Sequence, residues 1–233
     1  MSQTPNFAKL YDYVLRRFAG DQAALEAYLP TPSSDAQLRA LGDDRYLSLM
    51  TQRIFRAGLK HTVVDARWPD FEEAFWGFVP RKMLLLDGEH FARLMGNAKL
   101  IRHLPKLKSI PINAQMILQQ SDKHGSFGHF IANWPSSDIV GLWRFLQKNG
   151  VQLGGVSAAA FLRMAGKDTF MLDRDLTAAL IARNVLSKPA SSLADFARCQ
   201  AFMSELSDHS GRPLCHLSML LSLTVNHGDE PPL

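Results

Sequence analysis

Cysteine is nearly missing from this chain, with only Cys199 and Cys215 among 233 residues. Two thiols cannot build a disulfide framework, so a reducing, cytoplasmic setting (bacterial cytoplasm or nucleoid) is expected. Long apolar runs are missing too. The richest, Met83–Leu86 and Met219–Leu223, fall far short of a bilayer-spanning helix. The opening residues Met1–Asn6 lack the basic-then-apolar pattern of a secretory leader. No stretch alternates apolar and polar residues between hairpin turns, and repeats and low-complexity tracts are absent. Cys199, His209, Cys215, His216 and His227 lack the close pairwise spacing of a zinc site, so no metal and no cofactor is expected.

What is present is ample apolar material in helical rhythm. Hydrophobic residues make up 46% of the chain and charged residues 21%, enough for a sizeable core. Phe7, Leu10, Tyr11, Val14, Leu15 and Phe18 recur at helical spacing before Gly20. Tyr46, Leu49, Met50, Ile54 and Ala57 form a second stripe ending at Gly58. Phe71, Ala74, Phe75 and Phe78 form a short aromatic stripe closed by Pro80, and a longer helix is predicted over about Leu107–Gln120. Further helices follow at Ile139–Leu146, Ala158–Met164, Leu176–Val185, Leu193–Leu206 and Leu214–Val225. The fold class is therefore all-α. One unit is expected over 1–233, with an N-terminal helical extension at 1–35 and C-terminal helices at 186–233.

The net charge is +4, and Arg93, Lys99, Arg102, Lys106 and Lys108 cluster in one stretch. Such a cluster suits a phosphate-facing surface or a solvated helix face. Aromatics at helical spacing, among them Tyr11, Tyr13, Tyr46, Phe55, Trp68 and Trp76, are candidates for base stacking as well as for core.

Three segments together resemble one family. Phe55-Arg56-Ala57-Gly58-Leu59-Lys60-His61 is followed by the aromatic stripe. Leu100-Ile101-Arg102-His103-Leu104-Pro105-Lys106-Leu107 continues to Ile112-Asn113-Ala114. Ser137-Asp138 runs through Leu146 and Lys148 to Gly155. These are similar to the corresponding segments of the 3-methyladenine DNA glycosylase I family, a branch of the helix-hairpin-helix DNA glycosylases, over roughly 45–185. The resemblance implies two helical lobes around a cleft. It also implies a monomeric DNA repair enzyme of base excision, which hydrolyses the N-glycosidic bond of an alkylated or otherwise damaged base in double-stranded DNA.

On that resemblance Gly154, Gly155, Val156 and Ser157 form a hairpin that holds a DNA phosphate through backbone N–H groups, with Ser157 where the superfamily has a second glycine. Arg102 and Lys106 are further candidates for DNA contact. A gapless count from Gly166 places Asp173 where superfamily members carry their catalytic aspartate. Asp175 is the alternative, and both acids are also suited to capping the helix that follows. No lysine follows the hairpin, where Ala159 and Ala160 lie, which favours a monofunctional hydrolase over a lyase.

The base pocket implied by the resemblance involves Tyr46, Arg53, Phe55, His61 and Trp68. Arg53 stands near the family's pocket glutamate and His61 at its stacking tryptophan. An arginine there disfavours a cationic base and leaves open a catalytically inactive DNA-binding protein on the same scaffold. A helical protein-interaction module is the reading in which the basic residues simply face solvent.

Overall fold

The computed structural model describes residues 6–225. Every regular element among them is helical, as the hydrophobic periodicity predicts. The chain divides into two compact units.

One unit comprises the N-terminal segment to Pro32, residues 136–140 and the chain from Asp168 onward. It contains α1 (Phe7–Arg17) and α2 (Gln22–Tyr28). The other comprises 33–135 and 141–167. Its helices begin with α3 (Asp35–Ala40), α4 (Asp43–Arg56), α5 (His61–Ala66) and α6 (Trp68–Ala74). Then come α7 (Pro80–Met83), α8 (Gly88–Gly96), α9 (Leu104–His124) and α10 (Phe127–Asn133). After α11 (Ile139–Asn149) and α12 (Ser157–Met164) the chain returns to the first unit with α13 (Arg174–Ala182), α14 (Leu193–Ser210) and α15 (Leu214–Ser222).

Helix ends follow local chemistry. Asn6, Asp21, Asp87, Asp173 and Ser192 each cap a helix with a side-chain oxygen. Ser34 does so for α3 in a capping box with Gln37. Asp168 caps α15 from a distance, accepting from Leu214 N at 3.0 Å and Cys215 N at 2.8 Å. α9 is longer than predicted. Pro105 lies in its first turn, where no N–H is needed, and Pro111 is tolerated inside it because the helix is anchored by Leu107, Ile110, Ala114, Met116 and Ile117, all buried.

The aromatic stripe is buried as expected but is not one helix. After Ala74 the chain turns left-handed, with φ +50° at Trp76, +68° at Gly77 and +58° at Phe78. Such a conformation costs an L-residue about 1–2 kcal/mol, so its surroundings must fix it. Arg45 does this with every part of its guanidinium. It donates to both Glu72 oxygens at 2.9 Å, to the Gly77 carbonyl at 2.6 Å and to Asp44 at 2.9 Å. Beneath the turn Phe78 stacks on Trp68 and Phe75, with ring centroids 5.5 and 5.3 Å apart.

In the first unit, Glu26 holds α2 to the start of α15. Arg212 grips its carboxylate through two bonds of 2.7 Å, and Tyr11 adds a third at 2.6 Å. The Arg212 hydrogen bonds, reinforced by Tyr11 and opposed by burial, lower the Glu26 pKa to about 2. Its stabilising effect is therefore complete above the ordinary carboxylate range and is lost as pH falls toward 2. We expect wild-type stability, followed by circular dichroism in urea, to decline between about pH 4.5 and 2. Glu26→Gln should be less stable at pH 7 and flatter across that window. A variant with the wild-type acid profile would show that the ion pair contributes nothing.

Candidate nucleic-acid interface and base pocket

α11 and α12 are joined by the turn Val151–Val156, the predicted hairpin. Gly154 and Gly155 are exposed, whereas Ser157 is buried and its N–H donates to Gly154 O at 3.1 Å. Gly155 has φ +55°, a conformation that favours glycine. No side chain caps α12, and Gly154, Gly155 and Val156 donate no hydrogen bond within the described residues. The turn thus presents backbone donors at a helix N-terminus, where the peptide dipoles favour an anion. Arg102, the other sequence candidate for DNA contact, is exposed.

What fixes the hairpin is Asn113, a fully buried residue of α9. Its amide accepts from Val151 N at 2.8 Å and donates to Val151 O at 3.1 Å, reading one residue's backbone twice. Gly150 makes room for this. A Cβ there would lie 3.1 Å from Asn113 Oδ1 and 2.6 Å from Leu153. From sequence, Asn113 stood out only as part of the resemblance, and its polarity amid the apolar residues of α9 is the signal for a structural role.

Several pocket candidates are not available. Tyr46 has no exposed surface, packs edge-on against Phe127 at 5.2 Å and donates its hydroxyl to Leu38 O at 2.8 Å. Phe55 is equally buried, against Phe71 at 4.8 Å. Trp68 is 9% exposed, stacked on Phe71 and Phe78, with its N–H on Ser48 Oγ at 3.0 Å. These three rings are core, Phe55 and Trp68 both packed on Phe71 and Tyr46 on Phe127 and Phe161, and none presents a face to a base. Lys106 is corrected likewise. It is 8% exposed, and its ammonium donates to the carbonyls of Phe55 at 3.3 Å and Ala57 at 2.7 Å, the end of α4. It neutralises a helix C-terminus rather than facing a phosphate.

Arg53 and His61 remain. His61 is exposed and begins α5. Arg53 pairs with neither Asp44 nor Asp65. Asp44 is bound to Arg45, and Asp65 accepts from Arg56 at 2.7 and 2.9 Å and from Gln52 at 3.0 Å. The Arg53 Nε is buried and has no hydrogen-bond partner among the described residues. Burial lowers its pKa, and the positive charge of Arg56 lowers it further. Burial and the charge of Arg53 likewise depress the Lys106 ammonium. The end of α4 is thus cationic and short of acceptors.

Asp173 is the N-cap of α13, with Oδ1 accepting from Leu176 N at 2.9 Å. The carboxylate is half-buried, and its second oxygen takes no hydrogen bond among the described residues. Asp175 lies in the first turn of the same helix, also half-buried. Of the possible metal ligands, His227 lies outside the described residues. Cys199 and Cys215 are buried, and burial raises the Cys199 thiol to about 11.

Asn113→Ala should leave both backbone groups of Val151 without their partner, at a cost of about 2 kcal/mol. Urea denaturation should register that loss. Hydrogen exchange should accelerate in 150–157 more than in α4. Unchanged exchange in the hairpin would mean that Asn113 does not hold it.

Against known proteins, the model of the methyladenine glycosylase family matches residues 38–152, from α3 to the entrance of the hairpin. No curated protein matches the chain significantly. Among solved structures, a 3-methyladenine DNA glycosylase I is similar at 19% identity and a TM-score of 0.48, covering 62% of this chain and 86% of its own. The Staphylococcus aureus enzyme gives 24% identity and 0.44, covering 60% and 81%. A solution structure of a 3-methyladenine DNA glycosylase I gives 18% and 0.47, covering 72% and 91%. With scores below 0.5 these likenesses stand beside the family match without adding to it. By that match, residues 38–152 are similar to the methyladenine glycosylase family.

Proposed function

We propose that the chain is a monofunctional DNA glycosylase that excises a damaged base from double-stranded DNA. The match of residues 38–152 to the methyladenine glycosylase family carries this reading, and the open hairpin that follows supports it. A base inside a duplex must leave the stack to be cleaved. Backbone donors at Gly154–Val156 would hold a phosphate of the distorted strand. As the glycosidic bond breaks, positive charge develops on the sugar. The free oxygen of Asp173 would stabilise that charge or orient the attacking water. Helix capping suits this role, since it fixes the carboxylate in place.

Arg53 bears on which base is taken. A cationic alkylated base next to it would meet like charge, a penalty on the order of 1–4 kcal/mol at pocket distances. A neutral lesion would instead meet no like charge, and its carbonyl and ring-nitrogen dipoles would be favoured by the guanidinium. The same residue favours a second reading, a DNA-binding protein that no longer cleaves. Base release from duplexes carrying methylated, deaminated or oxidised bases separates the two. Release from any one of them supports the enzyme. Lesion-specific binding without release supports the binder.

Two variants divide the machinery. Gly154 has no positive φ and open space around its α-carbon, so Gly154→Leu is accommodated without strain and obstructs only the approach. Its affinity for DNA of any sequence should drop about tenfold, and wild-type affinity in the folded variant would remove the hairpin from the interface. Asp173→Asn keeps a capping oxygen and loses the charge. Single-turnover excision should fall by about two orders of magnitude or more. Full activity in Asp173→Asn with none in Asp175→Asn would move the catalytic role to Asp175.

A further inference from the structure

We propose a second nucleic-acid contact, a stacking platform at Trp76 that takes one unpaired nucleobase together with its phosphate. Trp76 lies in the second unit on the left-handed turn after α6, and its side chain is 42% exposed while its neighbours Phe75 and Phe78 are fully buried. The turn is held against its own conformational preference by Arg45, Glu72 and the rings beneath it. That rigid support presents an indole to solvent, where a flexible or polar loop residue would satisfy the fold equally well. Strain of this kind is retained where the surroundings enforce it, and it concentrates at binding sites.

The surroundings of the indole match one ligand chemistry. A concavity of about 240 Å³ opens beside it, lined also by Leu86, His90, Arg93, Leu94 and Asn97. That is below the ~300–1,000 Å³ of sites for drug-sized molecules and suits one small planar group. His90 meets the indole ring edge-to-face at 5.9 Å and is itself fixed by Asp87 at 2.7 Å, so the platform cannot easily rotate. Arg93, exposed in the last turn of α8, supplies a cation for a phosphate. Asn97 uses its side-chain oxygen on Lys99 N at 3.0 Å, which leaves its amide N–H groups for a base edge. An aromatic face with an adjacent cation and amide is the chemistry that recognises an unstacked base in a single strand, largely irrespective of sequence. The lining belongs to α6, α8 and the segments between them, and shares no residue with the hairpin or with the end of α4.

Fluorescence anisotropy of a labelled, undamaged hexadeoxyadenylate, titrated with the full chain, tests the proposal. Trp76→Gly should weaken binding about tenfold or more, the scale of one lost base–aromatic stack. Trp76→Phe should retain affinity within about threefold. Arg93→Gln, a surface change, should weaken binding and make it less sensitive to salt. Competition by dAMP would assign the platform to a mononucleotide, and competition by unlabelled oligonucleotide alone would assign it to a strand. Equal affinities for wild type, Trp76→Gly and Arg93→Gln would overturn the proposal. So would a Trp76→Gly variant that loses thermal stability and no affinity, since the indole would then serve only the fold. Excision activity has no part in these readouts, so they stand or fall apart from the glycosylase reading.

Discussion

One side-chain amide sets the position of the hairpin. Asn113 reads both backbone groups of Val151, and everything from Gly150 to Ser157 follows from that register. Because Asn113 is fully buried, each of its bonds is made without competition from water, and losing either leaves a buried polar group unmet. A glycine-rich turn would otherwise be the most mobile part of the unit. Fixed at its entrance, it can present unpaired N–H groups without using them internally. The same pairing requires Gly150 beside it and the helical continuity of α9 below it, despite Pro111. The geometry of the turn is thus set by a residue that lies outside it.

Helix ends supply the second ordering rule. Carboxylates sit on N-termini, where Asp43 accepts from Phe127 N, Asp168 from the first residues of α15 and Asp195 from Ser191 N and Ser192 N. Ammonium groups sit on carbonyls, with Lys106 at the end of α4 and Lys167 on Ala132 and Trp134. The backbone N–H bonds from Ser191 and Ser192 bring the Asp195 pKa down to about 2, the direction expected when helix donors favour the charged form. The start of α12 has no side-chain cap, as is also true of α4, α5, α6 and α7. Its lack of a carboxylate keeps it open to an anion from outside.

Most of the fold was legible in the sequence because helical stripes and caps are local signals. α4 and α13 fall within a turn of where periodicity puts them, and α9 runs about a turn further at each end. Short elements were not legible. α5 buries only Val64 and shows no periodicity, and α10 follows α9 after only Gly125-Ser126. The left-handed turn at Trp76 could not be read at all, since its support comes from Arg45, about thirty residues earlier in the chain. The site was legible in part. The family resemblance singled out Asp173 and the hairpin glycines as candidates, but residue type alone could not tell which aromatics of α4 and α6 face inward. Lys106 counted as surface charge, although the carbonyls it satisfies lie some fifty residues away.

The cationic end of α4 limits the chemistry that a pocket there can perform. A base already alkylated to a cation leaves as a neutral molecule, and an enzyme for it needs little help at the leaving group. A neutral base leaves with negative charge accumulating on its ring nitrogens or carbonyl oxygens. In the proposed enzyme, the positive charge of Arg53 would match that second case, because it favours the negative charge that gathers as the bond breaks. Interactions that strengthen toward the transition state accelerate cleavage, whereas a resident carboxylate would repel the same developing charge. Lys106 adds to the positive field without being available to touch a base. In the proposed enzyme, Arg53 would therefore act through its fixed positive charge on the departing base.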